Sequence, residues 1–229
     1  TNAGGDGNAD YLAKLTISTG AFSSFNATPL NDGVDALELV YGYVLYIGGR
    51  FTNAGGFASN DYLALLPSPY TSFKEWTGNT ALNAAVQTIL QISDGSVNIG
   101  GNFTDVNGDT TWDYLLRSIQ APSGGSTIPL IWTKPFSSID NSVFSQTEVQ
   151  PGVVVIGGQF TSLAGVALFD TMAQYSGATL IPLDVDLPGS TFTRALASRP
   201  TGEMIVGIND TGTASTSGTT TVTNPGTAP

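Results

Sequence analysis

Asp105, Asn107, Asp109 and Asp113 stand at relative positions 1, 3, 5 and 9 of the loop DVNGDTTWD. Oxygen-bearing side chains at alternate positions of a short loop can wrap a hard cation, so calcium is the chemistry this spacing offers. Thr110 holds the sixth position, where such loops turn on glycine, and an ordinary solvated turn is the competing reading. Asp184 and Asp186 alternate in LDVDL, which places both on one face of a strand. Two carboxyls so placed permit glycoside hydrolysis when they face a cleft. Like charges along an exposed strand more commonly guard it against pairing. Trp112 in the acidic loop, with Tyr41 and Tyr43 in the turn YGY, offers aromatic faces on which a sugar could stack. Trp76 and Trp132 hold matching positions in their repeats, and packing is the expected role for that pair.

What the chain lacks narrows these options. It contains neither histidine nor cysteine, which removes Ser-His and Cys-His nucleophiles, thiolate metal sites and disulfides. Seven Lys and Arg against 18 Asp and Glu give a net charge of −11, which repels phosphate backbones and excludes nucleic-acid binding. No apolar run approaches the roughly 20 residues that span a bilayer, so membrane insertion is not expected. Polarity comes instead from Gly, Ser, Thr and Asn, a profile suited to an extracellular, cell-surface or virion setting. The expectation is a protein that is not an enzyme and carries no cofactor beyond the calcium that the acidic loop offers.

The elements that position these residues repeat. YIGGRFTNAGGFASNDYLALL (46–66) returns as NIGGNFTDVNGDTTWDYLLRS (98–118) and VIGGQFTSLAGVALFDTMAQY (155–175), and in part as TNAGGDGNADYLAKL at the start. Registered on Thr1, Thr52, Thr104 and Thr161, the copies are 51, 52 and 57 residues apart, in the range of repeat architectures. An aspartate follows each Thr by nine residues: Asp10, Asp61, Asp113 and Asp170. Such a carboxylate can accept backbone N–H groups of its own loop. Phe51, Phe103 and Phe160 precede the last three threonines and are expected to fill space between repeats. The glycine pair before each of them lacks the following helix and Lys of a phosphate loop, so it serves strand packing. Each period reads as four short strands, rich in Val, Ile, Leu, Tyr and Trp and punctuated by turn residues. A small sheet covered on both faces and repeated about every 50 residues reads as a blade of a β-propeller.

The phrase IGG-x-FT, followed by Gly and a D/N-x-L/M-A strand, resembles the Kelch-like, delta-60-type repeats of bacterial and phage surface proteins and of fungal cortical landmark proteins. The acidic loop resembles the calcium loops of integrin-type propellers. The first resemblance covers residues 1 to about 209 and implies surface or structural modules, mostly without catalysis. VGIND departs from the pattern in the last copy.

The expected fold is therefore all-β: a β-propeller of four-stranded antiparallel blades over residues 1–209, with four blade-equivalents. These form a closed four-bladed ring, with residues 1–28 and 191–209 sharing one blade, or a segment of a larger ring. Residues 210–229, rich in Thr, Ser, Gly and Pro, read as a linker or arm. The start, inside the repeated phrase, reads as that of a processed or partial product. The expected function is a structural or adhesive propeller on a virion or cell surface, contacting other structural subunits, a surface receptor or glycan, or further copies of itself. The alternative is a carbohydrate-binding or carbohydrate-processing propeller.

Overall fold

The computed structural model describes residues 3–5, 10–25, 29–77, 82–109, 111–118, 127–167, 171–181, 183, 191–199, 203–210 and 219–223. Their strands run in chain order as β1 (Lys14–Thr16), β2 (Ala21–Ser23), β3 (Val34–Val40), β4 (Val44–Gly49), β5 (Leu63–Pro67), β6 (Glu75–Thr77), β7 (Val86–Gln91), β8 (Val97–Gly101), β9 (Leu115–Ser118), β10 (Thr127–Pro129) and β11 (Trp132–Thr133). They continue as β12 (Val143–Gln150), β13 (Val153–Gly158), β14 (Ser162–Leu163), β15 (Val166–Ala167), β16 (Met172–Ser176), β17 (Thr179–Ile181), β18 (Thr191–Ser198), β19 (Glu203–Asp210) and β20 (Thr219–Thr223).

Four antiparallel sheets form a row. Sheet I is β3-β4-β5, sheet II is β7-β8-β9-β11, sheet III is β12-β13-β16-β17 and sheet IV is β18-β19-β20. The leading strand of each packs on the sheet before it, β7 on β3 and β4, β12 on β7 and β8, and β18 on β12 and β13. Apolar side chains fill the junctions. Tyr46, Trp76, Val86, Ile99 and Phe103 lie in the cluster of I and II; Val143, Ile156, Phe160 and Tyr175 in that of II and III; Val155, Met172, Met204 and Val206 in that of III and IV. Full burial of one such large apolar side chain stabilises by about 1.5–3 kcal/mol.

The row does not close into a ring, and this corrects the β-propeller expectation and the Kelch-like reading with it. A closing strand from the N-terminus would have to pair with β19, but β20 pairs there through Glu203↔Thr223 to Gly207↔Thr219. β1 pairs with β2 instead, in a separate hairpin. The sheets are also unequal. β6 leaves sheet I and pairs in parallel with β10, and β14-β15 forms a hairpin of its own inside the third loop. Two of the four sheets hold three strands rather than four. β20 lies within the segment read as a linker or arm.

The third strand of each repeat starts later than its sequence indicates. Tyr62, Tyr114 and Thr171 adopt left-handed backbone (φ 63°, 61° and 54°), which ends extended pairing at the residue after each recurrent aspartate. Their N–H or C=O groups are nonetheless used. Tyr62 N donates to Phe51 O and Tyr114 N to Phe103 O, both at 2.9 Å, while Gly49, Gly101 and Gly158 donate to the carbonyls of Tyr62, Tyr114 and Thr171.

Candidate functional site

The repeated phrase builds a junction. In each IGG the first glycine faces the next sheet and the second faces its own leading strand. A Cβ at Gly48 would lie 2.5 Å from Val86 Cγ1, one at Gly100 2.8 Å from Val143 Cγ1, and one at Gly157 inside contact distance of Thr193 Cγ2. A β-branched knob from each sheet thus occupies a glycine socket in the sheet before it. The knob is aimed by a β-bulge at the same place every time, between Val34 and Ala36, Val86 and Thr88, Val143 and Ser145, and Thr193 and Ala195. A Cβ at Gly49, Gly101 or Gly158 would instead fall on the carbonyl oxygen of Gly33, Ala85 or Ser142. Each of those oxygens accepts the N–H of the residue after the glycine pair at 2.9 Å.

Phe51, Phe103 and Phe160 are fully buried, each in the cluster on the preceding side of its sheet. The threonines after them are held by a clasp that lies 21 residues upstream. Asn31 Oδ1 accepts Thr52 N at 2.9 Å, and Asn31 Nδ2 donates to Thr52 Oγ1 at 3.0 Å. Asn83 does the same for Thr104 at 2.8 and 3.2 Å. Asp140 accepts Thr161 N at 2.8 Å, Thr161 Oγ1 at 2.7 Å and Ser162 N at 3.0 Å. Sequence reasoning missed these three residues, although each stands three positions before a leading-strand knob.

Burial alone would raise the Asp140 carboxyl, but the hydroxyl of Thr161 and the N–H groups of Ser162 and Thr161 outweigh it and hold the group below the usual carboxylate range. Its stabilisation is therefore complete above the unfolded value of about 3.9. It is lost as pH falls through the lower folded value. Asp140→Asn is expected to keep the melting temperature at neutral pH, where the amide can clasp as Asn83 does, and to remove this part of the acid-induced loss. Asp140→Ala is expected to cost about 1 kcal/mol at neutral pH. Acid melting curves of wild type and Asp140→Asn that coincide would refute the assignment.

The recurrent aspartates are loop ties where they are described. Asp61 Oδ1 accepts Asn53 N at 2.6 Å, and Asp113 Oδ1 accepts Asp105 N at 2.7 Å. Asp10 is half-buried ahead of Tyr11, which is also left-handed, and Asp170 lies outside the described residues, as do Asp184 and Asp186. In the acidic loop the oxygens turn to different partners. Asp109 Oδ1 accepts Thr111 N at 2.9 Å and Thr111 Oγ1 at 2.6 Å, and Lys134 Nζ stands 3.9 Å from Asp109 Oδ2. The Thr111 contacts, with Lys134 nearby, hold the Asp109 carboxyl below its ordinary value. Burial raises that of Asp113, with Asp105 and Asp109 adding to the rise against the Asp105 N–H. The Asn107 side chain lies outside the described set, and among the described residues no three acidic groups converge as metal ligands do.

Trp112 is half-buried against the cluster of sheets I and II, with Lys134 Nζ 5.6 Å from its ring centroid. The ammonium thus occupies a face that a sugar would need. Beside it Thr111, Asp113, Leu115, Lys134 and Phe136 line a small, shallow recess. Tyr41 and Tyr43 stack at 6.2 Å, but Tyr41 is committed to the junction of sheets I and II. Its N–H donates to Gln91 Oε1 at 2.9 Å and its hydroxyl to Gly95 O. The three aromatics are not brought together in one recess.

Apolar side chains stay exposed at the β1–β2 hairpin (Leu15, Ile17 and Phe22), at Ile131 and Val166, and at the two ends of the row. On the leading face of sheet I, Leu37 and Leu39 are 51% and 50% exposed, whereas Ile89 and Gln146, which occupy the Leu37 position of sheets II and III, are 8% and 9% exposed. On the trailing face of sheet IV, Ala195 and Ala197 are exposed, and Ile205 and Gly207 are only half-buried. Among the described residues no helix is long and apolar enough to cross a membrane. No protein-family model and no curated protein matches the chain, so the resemblance to Kelch-like repeats stands without support from relatives as well as without a ring.

Proposed function

We propose that the chain is a binding scaffold, without chemistry of its own, that works through the exposed apolar strips at the two ends of its row of sheets. The reading as a propeller disc falls with the ring, and the scaffold rests on a different observation. Positions on β3 and β19 that are sealed at the internal junctions are partly open at the ends of the row, Leu37 and Leu39 at one and Ile205 and Gly207 at the other, while Ile47, Ala64 and Leu66 on the same face of sheet I stay buried with Leu12, Phe25 and Leu30. A contiguous exposed apolar strip on a sheet face is the kind of surface that serves as an interaction site. The absence of histidine and cysteine from the sequence supports a binding role, as does the commitment of the loop aspartates to backbone ties.

Binding of a solvatochromic apolar dye to the folded chain tests this. The double variant Leu37→Asp, Leu39→Asp is expected to at least halve the bound dye without lowering the melting temperature. Dye binding that survives in this variant but vanishes in Trp112→Ala would move the working surface to the recess and refute the proposal.

A further inference from the structure

We infer that copies of this chain join head to tail, the leading face of sheet I in one copy seating on the trailing face of sheet IV in the next, in the knob-and-glycine register of the internal junctions. The inference rests on the scaffold reading and names its partner. Strand pairing aligns the sheets residue by residue. Gly49, Gly101, Gly158 and Ile208 pair with Val34, Val86, Val143 and Thr193. One position earlier, Gly48, Gly100, Gly157 and Gly207 form an equivalent set. The first three receive Val86, Val143 and Thr193 from the following sheet. At Gly207 the nearest atom to an added Cβ among the described residues is Ala195 Cβ of the same sheet, at 3.2 Å, and no described side chain of another sheet enters.

The rest of that face repeats the pattern. Tyr46, Asn98 and Val155, two residues before the sockets of sheets I to III, are 0%, 0% and 1% exposed beneath the next sheet. Ile205 holds the same place in sheet IV and is half-buried. Ala195 and Ala197, paired with Gly207 and Ile205, extend this surface, and Glu203, on the same face two residues before Ile205, pairs with Arg199 at its edge. The other end carries the matching relief. Leu37 corresponds to Ile89, whose Cδ1 lies 3.2 Å from the Cβ position of Gly48, and Leu39 stands beside it, both half exposed. Val34 is the knob of this end, partly buried against the cluster that holds Ile47. The two end faces are the halves of a contact the chain already makes three times within itself.

Such a contact joins different surfaces, so it propagates instead of closing on a pair. Light scattering on the full chain is therefore expected to show mass rising with concentration beyond a dimer. Gly207→Val, which fills the socket, and Leu37→Asp, which spoils the knob face, are each expected to be monomeric with unchanged melting temperature. Ile205→Glu is a second socket-face variant should the first fold poorly. An equimolar mixture of Gly207→Val and Leu37→Asp retains one intact head and one intact tail, and is expected to stop at dimers. A wild-type chain that stays monomeric to its solubility limit would overturn the inference, as would association indifferent to both Gly207→Val and Ile205→Glu. If the wild type is monomeric while the leucine double variant still loses dye, head-to-tail joining fails and the scaffold reading survives. If dye binding is also unchanged, both fail.

Discussion

Gly158→Ala is expected to lower the folding free energy by about 3 kcal/mol or more, at the upper end of what overpacking costs. The reason is geometric. The added Cβ would fall on the Ser142 carbonyl oxygen, and backbone cannot step aside as a long side chain can. That oxygen also accepts Gln159 N at 2.9 Å, so any shift that relieves the clash weakens this hydrogen bond. The sign of the effect discriminates. A glycine whose place in the structure tolerates a Cβ gains about 0.4–1 kcal/mol on replacement by alanine, because the unfolded chain loses freedom. Chemical denaturation that finds Gly158→Ala as stable as wild type would therefore dismiss the close-approach account. Ile208 holds the equivalent position in sheet IV, opposite Thr193, which shows that the demand belongs to the first three sheets and not to strand pairing itself.

Trp76→Ala is expected to cost about 3–5 kcal/mol, as for other large aromatic truncations in cores. Trp76 is fully buried, its indole N–H donates to Leu63 O at 3.0 Å, and its ring meets Trp132 edge-on at 5.8 Å and 87°. The variant loses packing, an edge-to-face pair and the partner of a buried carbonyl together. Trp76→Phe separates these contributions, since it keeps a ring but leaves Leu63 O without its indole donor, a loss of about 1–3 kcal/mol. Trp132→Phe is expected to cost less than Trp76→Phe, because the Trp132 N–H meets no described acceptor. Urea midpoints of the two phenylalanine variants in the reverse order would show that the Leu63 bond carries little of the stability.

Much of the strand content was legible in the sequence. Val153 to Ile156 is apolar on both faces, and the structure buries nearly all of β13 and, Asn98 included, the whole of β8. The glycine pair was legible as a packing device because three copies share it. Closure was not legible, since it depends on which segment takes the free edge of β19. Thr219–Thr223 is a threonine-rich run that composition assigns to a linker, yet β-branched residues suit an edge strand, and the run lies nearer to β19 in the chain than β1 does. Pairing of β6 with β10 was equally hidden, because it joins segments of neighbouring repeats that each look like the last strand of their own. At the acidic loop, the 1, 3, 5, 9 spacing was visible while the competing donors were not. Lys134 is 25 residues from Asp109 in the chain, and the Asp105 N–H that binds Asp113 is backbone. The Asn31, Asn83 and Asp140 clasp could have been found from its constant 21-residue offset, but it alternates between two residue types amid loops that otherwise differ.

Because the main contacts of each sheet among the described residues are with its immediate predecessor and successor, cohesion along the row is largely a sum of nearest-neighbour terms. A ring would spread damage at any one junction around its whole circumference, whereas an open row confines it. The outermost sheets, with a neighbour on one side only, can then fray while the two between them hold, which leaves the molecule's most yielding parts at its extremities.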